Sequence, residues 1–401
     1  MAKAYLVGSG IASLAAAAFL IREGRFAGPD ISILEEQDRE GSSLDAAGSP
    51  ESGYTMRGGR MFEIHFDCTY DLLGSIPSLD DPTKSVTEDT FAFHEDFAWD
   101  DHARLVDASG KVVDAHSMGF SERDRLELIK CVGTPEKLLD GKRIVDCFSA
   151  EFFTTNFWWM WCTTFAFEPW HSAIEFRRYL NRFVHLFKTF DAMSGIYRTR
   201  FNQYDSIVRP LVSWLDAQGV TVRLGTSVTD LRLADGDALT VEGITWTRGG
   251  HSEEVELGPD DLVLVTNGSM TADSTLGSTD AAPVLDTSKS SGSWKLWETL
   301  AAKRPGRLGD PAVFNTSVDD STWESFTVTT KRPHLLRVDG AIQRQRSRQG
   351  GPHHLQGLQL AAHHRAQPPA AFPRAAGGHL RLVGLCPLPR QAGRLRAQAD
   401  A

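Results

Sequence analysis

The residues with the clearest chemical potential stand near the N-terminus. Ala4 to Val7 is a short apolar run, followed at once by Gly8-Ser9-Gly10-Ile11-Ala12-Ser13 and then by an Ala-rich stretch without a breaker until Gly24. Two glycines and a small residue at this spacing suit a turn that holds a pyrophosphate. Gly8 permits the tight bend, Gly10 lets the backbone approach the anion, and the start of the next helix points its free N–H groups at it. Ser13 stands where a third glycine is common and is small enough for the helix to pack on the strand. Ile31 to Leu34 is a second apolar run, and Glu35 closes it 22 residues beyond Ser13, where a ribose hydroxyl needs an acceptor. Farther on, Tyr179 follows Arg177 and Arg178, a setting in which two positive charges could lower a phenol pKa, although spacing alone does not fix their approach.

These groups need a strand, a turn, a helix and a second strand in that order, so the expected fold is α/β with a Rossmann-like lobe. Later segments return to it. Gly219 to Leu233 alternates as a strand pair does, and Asp261 to Ser269 is an apolar strand ending in Asn267-Gly268-Ser269. The acid at Glu35, a Gly/Ser turn through Ser43, and Arg57-Gly58-Gly59-Arg60 resemble the FAD lobe of amine-oxidase-like flavoproteins. Such proteins return to the cofactor with residues placed like Val228, near the adenine, and Asn267-Gly268, near the phosphates. This favours FAD over NAD.

Between the returns lies an aromatic segment: Phe152, Phe153, Phe157, Trp158, Trp159, Trp161, Phe165, Phe167 and Trp170. Two readings stand, a packed helical core or the wall of a pocket for a long apolar ligand.

Composition narrows the classes. The 401 residues suffice for two or three domains, and five cysteines without CxxC spacing favour a reducing compartment over a disulfide framework or zinc site. A net charge of −10 argues against a nucleic-acid partner. The N-terminal apolar stretch is broken by Gly-Ser-Gly, so no signal peptide is expected, and Phe152 to Phe167 is too short to span a membrane. The expectation is a soluble, cytoplasmic protein. The charge is uneven: residues 331–401 hold eleven Arg, one Lys and two Asp, a net of +10, which leaves about −20 on the first 330. All ten Trp, all six Tyr and 21 of 22 Phe precede residue 331. A tail so poor in aromatics cannot readily order itself around a core. It is expected to be disordered and to be an out-of-frame translation, and its His353-His354 and His363-His364 pairs, without nearby acids, define no metal site.

GSGIASL (8–14), ILEE (33–36), RGGRMFEIHFDC (57–68), SIPSLDDP (75–82), FAFEPWHSAIEFRRYL (165–180), NQYDSIVRPL (202–211) and VTNGSMTADSTLG (265–277) resemble the oleate hydratases, formerly called the myosin-cross-reactive antigen family. The resemblance covers about residues 1–330. It implies addition of water across the cis double bond of an unsaturated fatty acid, oleate giving 10-hydroxystearate, with FAD bound and no net redox. It further implies that Tyr179 is the proton donor. An acidic residue that orients the water is replaced here by Met61, with Glu63 two residues on and more readily structural than a substitute. Slow or altered hydration is the implied outcome.

The cofactor residues expected are Gly8, Gly10, Ala12, Ser13, Glu35, Ser43, Gly58, Gly59, Arg60, Val228, Asn267 and Ser269; Met61 and Glu63 would flank the water. The expected division is an FAD-binding lobe from 1–68 and 205–280, an inserted, mostly helical and aromatic-rich substrate lobe from 69–204, the start of a C-terminal region at 281–330, and the basic tail at 331–401. The resemblance also implies transient membrane contact through a terminal segment and allows a homodimer. Two other functions remain open: an FAD oxidoreductase of the amine-oxidase type, and a flavin- or lipid-binding remnant without turnover.

Overall fold

The structure, a computed structural model, describes residues 2–49, 53–56, 61–96, 104–106, 111–192, 194–236, 238–268, 272–278, 280–316, 318, 323–330, 351–355, 360–364 and 380–387. The chain is mixed α/β and divides by internal contacts into two compact units. The first comprises residues 1–47, 65–92 and 199–322, and the second 48–64, 93–198 and 323–401. These boundaries differ from those expected: residues 65–92 join the first unit and 48–64 the second.

The first unit is built on a four-stranded sheet ordered Leu262–Val265, Ala4–Val7, Ile31–Leu34, Thr221–Arg223. All three pairings are parallel. Every residue of Ala4–Val7 is buried, as a central parallel strand covered on both faces requires. The crossover helix Ile11–Arg22 buries Ser13, Leu14, Ala17 and Ala18. This stripe of mostly small side chains recurs at helical spacing and allows the helix to lie close to the sheet. The antiparallel sheet Thr226–Leu233, Val241–Arg248 and His251–Glu256 contributes Val228, Leu231, Ile244 and Trp246 to a core shared with Tyr5, Val7, Leu34 and the helix Gly292–Lys303.

The second unit carries the aromatic residues. Thr155 caps the helix Asn156–Phe165 by accepting from the Trp158 N–H at 3.1 Å, and Ser172 caps Ala173–Phe183 through the Glu175 N–H. Phe152, Phe157, Trp158, Trp161, Phe167 and Phe176 are buried in one cluster, so the core reading accounts for most of the aromatic segment. Phe153, Trp159 and Phe165 are only partly covered, and Trp170 is exposed. A two-residue ribbon pairs Phe62–Glu63 with Ile196–Tyr197. Within 331–401, Gly351–Leu355 pairs with Arg104–Val106 and with Leu360–His364, and Leu380–Pro387 pairs with Trp323–Thr330; the rest of that tail lies outside the described residues. Cys68, Cys131, Cys147 and Cys162 are free thiols. No described helix is long and apolar enough to cross a membrane.

Gly8 is the backbone hinge of the first unit. Its φ is +88°, and a Cβ there would come within 3.1 Å of the Thr266 carbonyl oxygen and Oγ1. Gly8→Ala should destabilise the protein by about 1–2 kcal/mol from the left-handed backbone alone, read as a lowered thermal midpoint. Gly133→Ala, where a Cβ meets nothing within 4 Å, should cause no comparable loss.

Candidate functional site

Between the first strand and its helix, the turn is fastened to the end of the second strand. Gly8 N–H donates to the Leu34 carbonyl at 2.8 Å. The Ser9 N–H and Oγ–H both donate to Glu35 Oε2, at 2.7 and 2.6 Å, while Gln37 N–H donates to Oε1 at 2.9 Å. Glu35 is 4% exposed. Its backbone is also held, with its N–H on the Arg223 carbonyl at 3.0 Å and its carbonyl accepting from Thr226 at 2.7 Å.

These contacts permit a test of fit for a dinucleotide. The helix Ile11–Arg22 has no side-chain cap at Gly10 and no acid in its first turn, so its first N–H groups keep their positive field for an anion. Ala12 is exposed, and among the described residues a Cβ on Gly10 would meet only Ser42, at 3.5 Å, so the missing side chain leaves room above the turn. Ser13 is buried and shares a 2.8 Å hydrogen bond with Thr266 Oγ1, which makes it a packing contact. A carboxylate offers about four lone-pair sites; three are used in Glu35, which leaves Oε1 one more for a hydroxyl. The donor set fits a dinucleotide.

The other cofactor candidates spread more widely. Ser43 is half-buried in the turn after Gly41. Val228 is buried in the core between the two sheets. Asn267 donates from Nδ2 to the Ser293 carbonyl at 3.4 Å. Gly58, Gly59, Arg60 and Ser269 lie outside the described residues. Sequence reasoning missed Ser9, although a hydroxyl between the two glycines, with an acid at the end of the next strand, was the available signal.

In the second unit Tyr179 is half-buried, with Phe165 and Phe167 edge-on to its ring at centroid distances of 5.4 and 5.1 Å. Burial, and then the negative Glu175, raise its pKa above the usual phenol value. The lowering that Arg177 and Arg178 could have caused, which spacing alone left open, does not occur. Both guanidinium groups turn to Glu136, Arg178 with hydrogen bonds of 2.6 and 2.9 Å and Arg177 at 3.5 Å. Adjacent residues on a helix point about 100° apart, so neighbours in sequence need not share an environment.

Arg182, one turn beyond Tyr179, reaches Glu63 Oε1 at 2.5 Å, and His185 Nε2 lies 3.3 Å from Glu63 Oε2. The Glu63 side chain is 1% exposed. It ties the short ribbon to the Tyr179 helix. Met61 is half-buried just before that ribbon. A separate cleft of about 370 Å³, lined by polar residues including Ser121, Asp124, Ser149 and Asn156, contains none of the expected site residues.

The segment joining the aromatic helix to the Tyr179 helix holds a second pair. Glu168 N–H donates to His171 Nδ1 at 3.2 Å, which fixes the neutral ring with its proton on Nε2. Burial pushes the Glu168 carboxyl up to about 7 and the His171 imidazole down to about 4. The sequence offered no signal for this pair beyond an acid and a histidine among aromatics.

The fold and the first unit's turn define an α/β protein with a dinucleotide-type strand–turn–helix and an aromatic unit that holds a half-buried phenol. The family model described as MCRA family matches residues 1–363, and the chain belongs to that family. It is 40% identical over 334 residues to an oleate hydratase of Streptococcus pyogenes serotype M49, covering 83% of this chain and 56% of the relative. It is 35% identical over 361 residues to a linoleate hydratase of Lactiplantibacillus plantarum, covering 83% of this chain and 62% of the relative. The chain thus spans a little over half the length of these relatives. Among solved structures, an oxidoreductase from Methanosarcina mazei superposes with a TM-score of 0.52 at 13% identity, over 99% of this chain and 82% of that one, a likeness of fold alone.

Glu168 and His171 make opposite contributions to stability against pH. An acid whose folded pKa is raised from 4.5 to about 7 stabilises fully below 4.5 and loses that contribution as pH rises to 7. A base whose folded pKa is depressed from 6.5 to about 4 contributes above 6.5 and loses it as pH falls to 4. Each amounts to on the order of 2–3 kcal/mol. Relative to the wild type, Glu168→Gln should gain stability as pH rises from 4.5 to 7, and His171→Asn should lose it from 4 to 6.5. Thermal midpoints across pH check this, and parallel profiles for all three proteins would refute it.

Proposed function

We propose that the chain binds FAD at the Gly8–Ser13 turn and hydrates the cis double bond of unsaturated fatty acids, converting oleate to 10-hydroxystearate, with Tyr179 as proton donor. The observation carrying this reading is the phenol itself. Tyr179 is the tyrosine that the resemblance in FAFEPWHSAIEFRRYL points to, the chain is 40% identical over 334 residues to an oleate hydratase, and its surroundings keep the phenol protonated. An isolated alkene is a weak base. It accepts a proton only from a donor held against it, while a water attacks the other carbon before a free cation forms. In this reading the Tyr179 proton passes to one alkene carbon, the water oxygen bonds to the other, and the proton released by the water restores the phenol.

Phe165, Phe167 and Phe183 around Tyr179 supply an apolar wall suited to an acyl chain. Gly8, Gly10, Ala12, Ser13, Glu35, Ser43, Gly58, Gly59, Arg60, Val228, Asn267 and Ser269 are the residues proposed to hold FAD, which when bound supplies structural and electrostatic support for a reaction without net redox. The thioether of Met61 is only a weak acceptor, and Glu63 is already shared by Arg182 and His185. Water is therefore oriented less well than by an acid at position 61, and turnover is correspondingly slow. The same observation favours a second reading, binding of flavin and fatty acid without turnover.

Incubation of the protein with FAD and oleate, followed by mass spectrometry for hydroxystearate, separates the readings. Tyr179→Phe keeps the ring and removes the O–H, so it should leave fatty-acid binding intact and lower turnover by about 10²–10⁴-fold; unchanged turnover would exclude the role. Gly10→Val fills the open space above the turn, and flavin retained through purification should fall sharply. A variant with its full flavin complement would remove this turn from the cofactor site.

A further inference from the structure

The helix Ala173–Phe183 is packed along one stripe and ends close to its functional residue. Ala173, Phe176 and Leu180 recur at helical spacing and are buried, with Phe176 and Leu180 inside the aromatic cluster. Tyr179 stands beside this stripe, half-buried, about one turn before the helix stops at Phe183. Helix ends fray. After Phe183 the chain tightens into the short segment Val184–Thr189, none of whose residues is buried. A joint between two helical forms therefore lies one turn from the phenol.

Glu63 spans that joint. Arg182 precedes it and His185 follows it, and both reach the same carboxylate, at 2.5 Å from Oε1 and 3.3 Å from Oε2. Solvent scarcely touches the Glu63 side chain, while those of Arg182 and His185 are each more than a third exposed. The Glu63 backbone is held in the ribbon opposite Ile196. The carboxylate is thus the fixed point, and the two exposed side chains are the arms that reach to it. A buried carboxylate that loses a partner is left short of donors at high cost, so the ribbon dictates where the joint can lie. Residues three apart on a helix are surface neighbours, and a shift of Arg182 carries Tyr179 with it. Each Glu63 oxygen already faces a nitrogen, which leaves the carboxylate engaged by the helix end and not by a water.

We propose that Glu63, acting through Arg182 and His185, is a positioning residue for proton donation: it fixes the joint where the Tyr179 helix ends and so aims the phenol O–H. This role rests on the reading of Tyr179 as proton donor and names the groups that hold the donor in line. An alkene offers an O–H only a weak π contact, so the substrate cannot draw a displaced phenol back. The protein must supply the aim, and a misplacement on the order of 1 Å can cost about 10²-fold in rate.

Steady-state kinetics of single and double variants test this, with thermal midpoints measured alongside. Arg182→Gln and Glu63→Gln should each lower kcat by about 10²-fold. KM should stay within about twofold, since the lost interaction serves the transition state. The double variant should be no slower than either single one, because the same link is broken in all three. It should also be more stable than Arg182→Gln, as no buried charge is left without its cation. Activity that stays low while stability returns separates positioning from folding. Arg182→Lys keeps the charge without the planar fork and should recover part of kcat. If Glu63 instead orients water, Arg182→Gln stays near the wild-type rate and the two effects multiply, which overturns the proposal. A wild type that turns over no oleate counts against the hydratase reading alone, and the positioning is then read from the phenol. In the full chain labelled with carbon-13 tyrosine, the Tyr179 resonance is assigned by its loss in Tyr179→Phe. It should move in both Gln variants and titrate closer to the usual phenol value as the ring becomes solvated. A Tyr179 signal unchanged in both overturns the proposal.

Discussion

The contact on which the first unit depends is the buried carboxylate of Glu35 holding both donors of Ser9. It joins the turn after the first strand to the end of the second, so the spacing between the open helix N-terminus and the acid is set by two short charge-assisted hydrogen bonds. Among the described residues no cation accompanies Glu35 in this contact. The buried charge is met by backbone and hydroxyl dipoles instead, and these leave one lone pair directed elsewhere. An acid held in this way needs no basic partner close to the turn, so the positive field of the helix N-terminus is the unopposed one there.

Much of this was legible in the sequence, because the constraint is local. Gly8, Gly10 and Ser13 lie within six residues, and the apolar run before them and the acid after Ile31–Leu34 leave few alternatives to a parallel strand pair. The return strands were legible for a related reason: Leu262–Val265 is continuous and apolar, and joins the sheet in parallel. The role of Ser9 was not visible, since a serine between glycines reads equally well as a turn residue until its partner is known.

The second unit was less legible, and Tyr179 shows why. In sequence it follows two arginines; in space its ring is edged by Phe165 and Phe167 while both arginines leave for Glu136. Desolvation, which depends on long-range packing, decides its acidity, and adjacency does not. Glu63 illustrates the same limit. As a sequence position it was a candidate to flank water, but its burial and its two partners follow from the meeting of a ribbon and a helix more than a hundred residues apart.

The helix carrying Tyr179 is moored on both sides of that residue, through Arg177 and Arg178 to Glu136 and through Arg182 to Glu63. The second of these moorings passes through position 63, on the short ribbon. Position 63 therefore fixes where the helix carrying the phenol stands, through a carboxylate that solvent scarcely reaches.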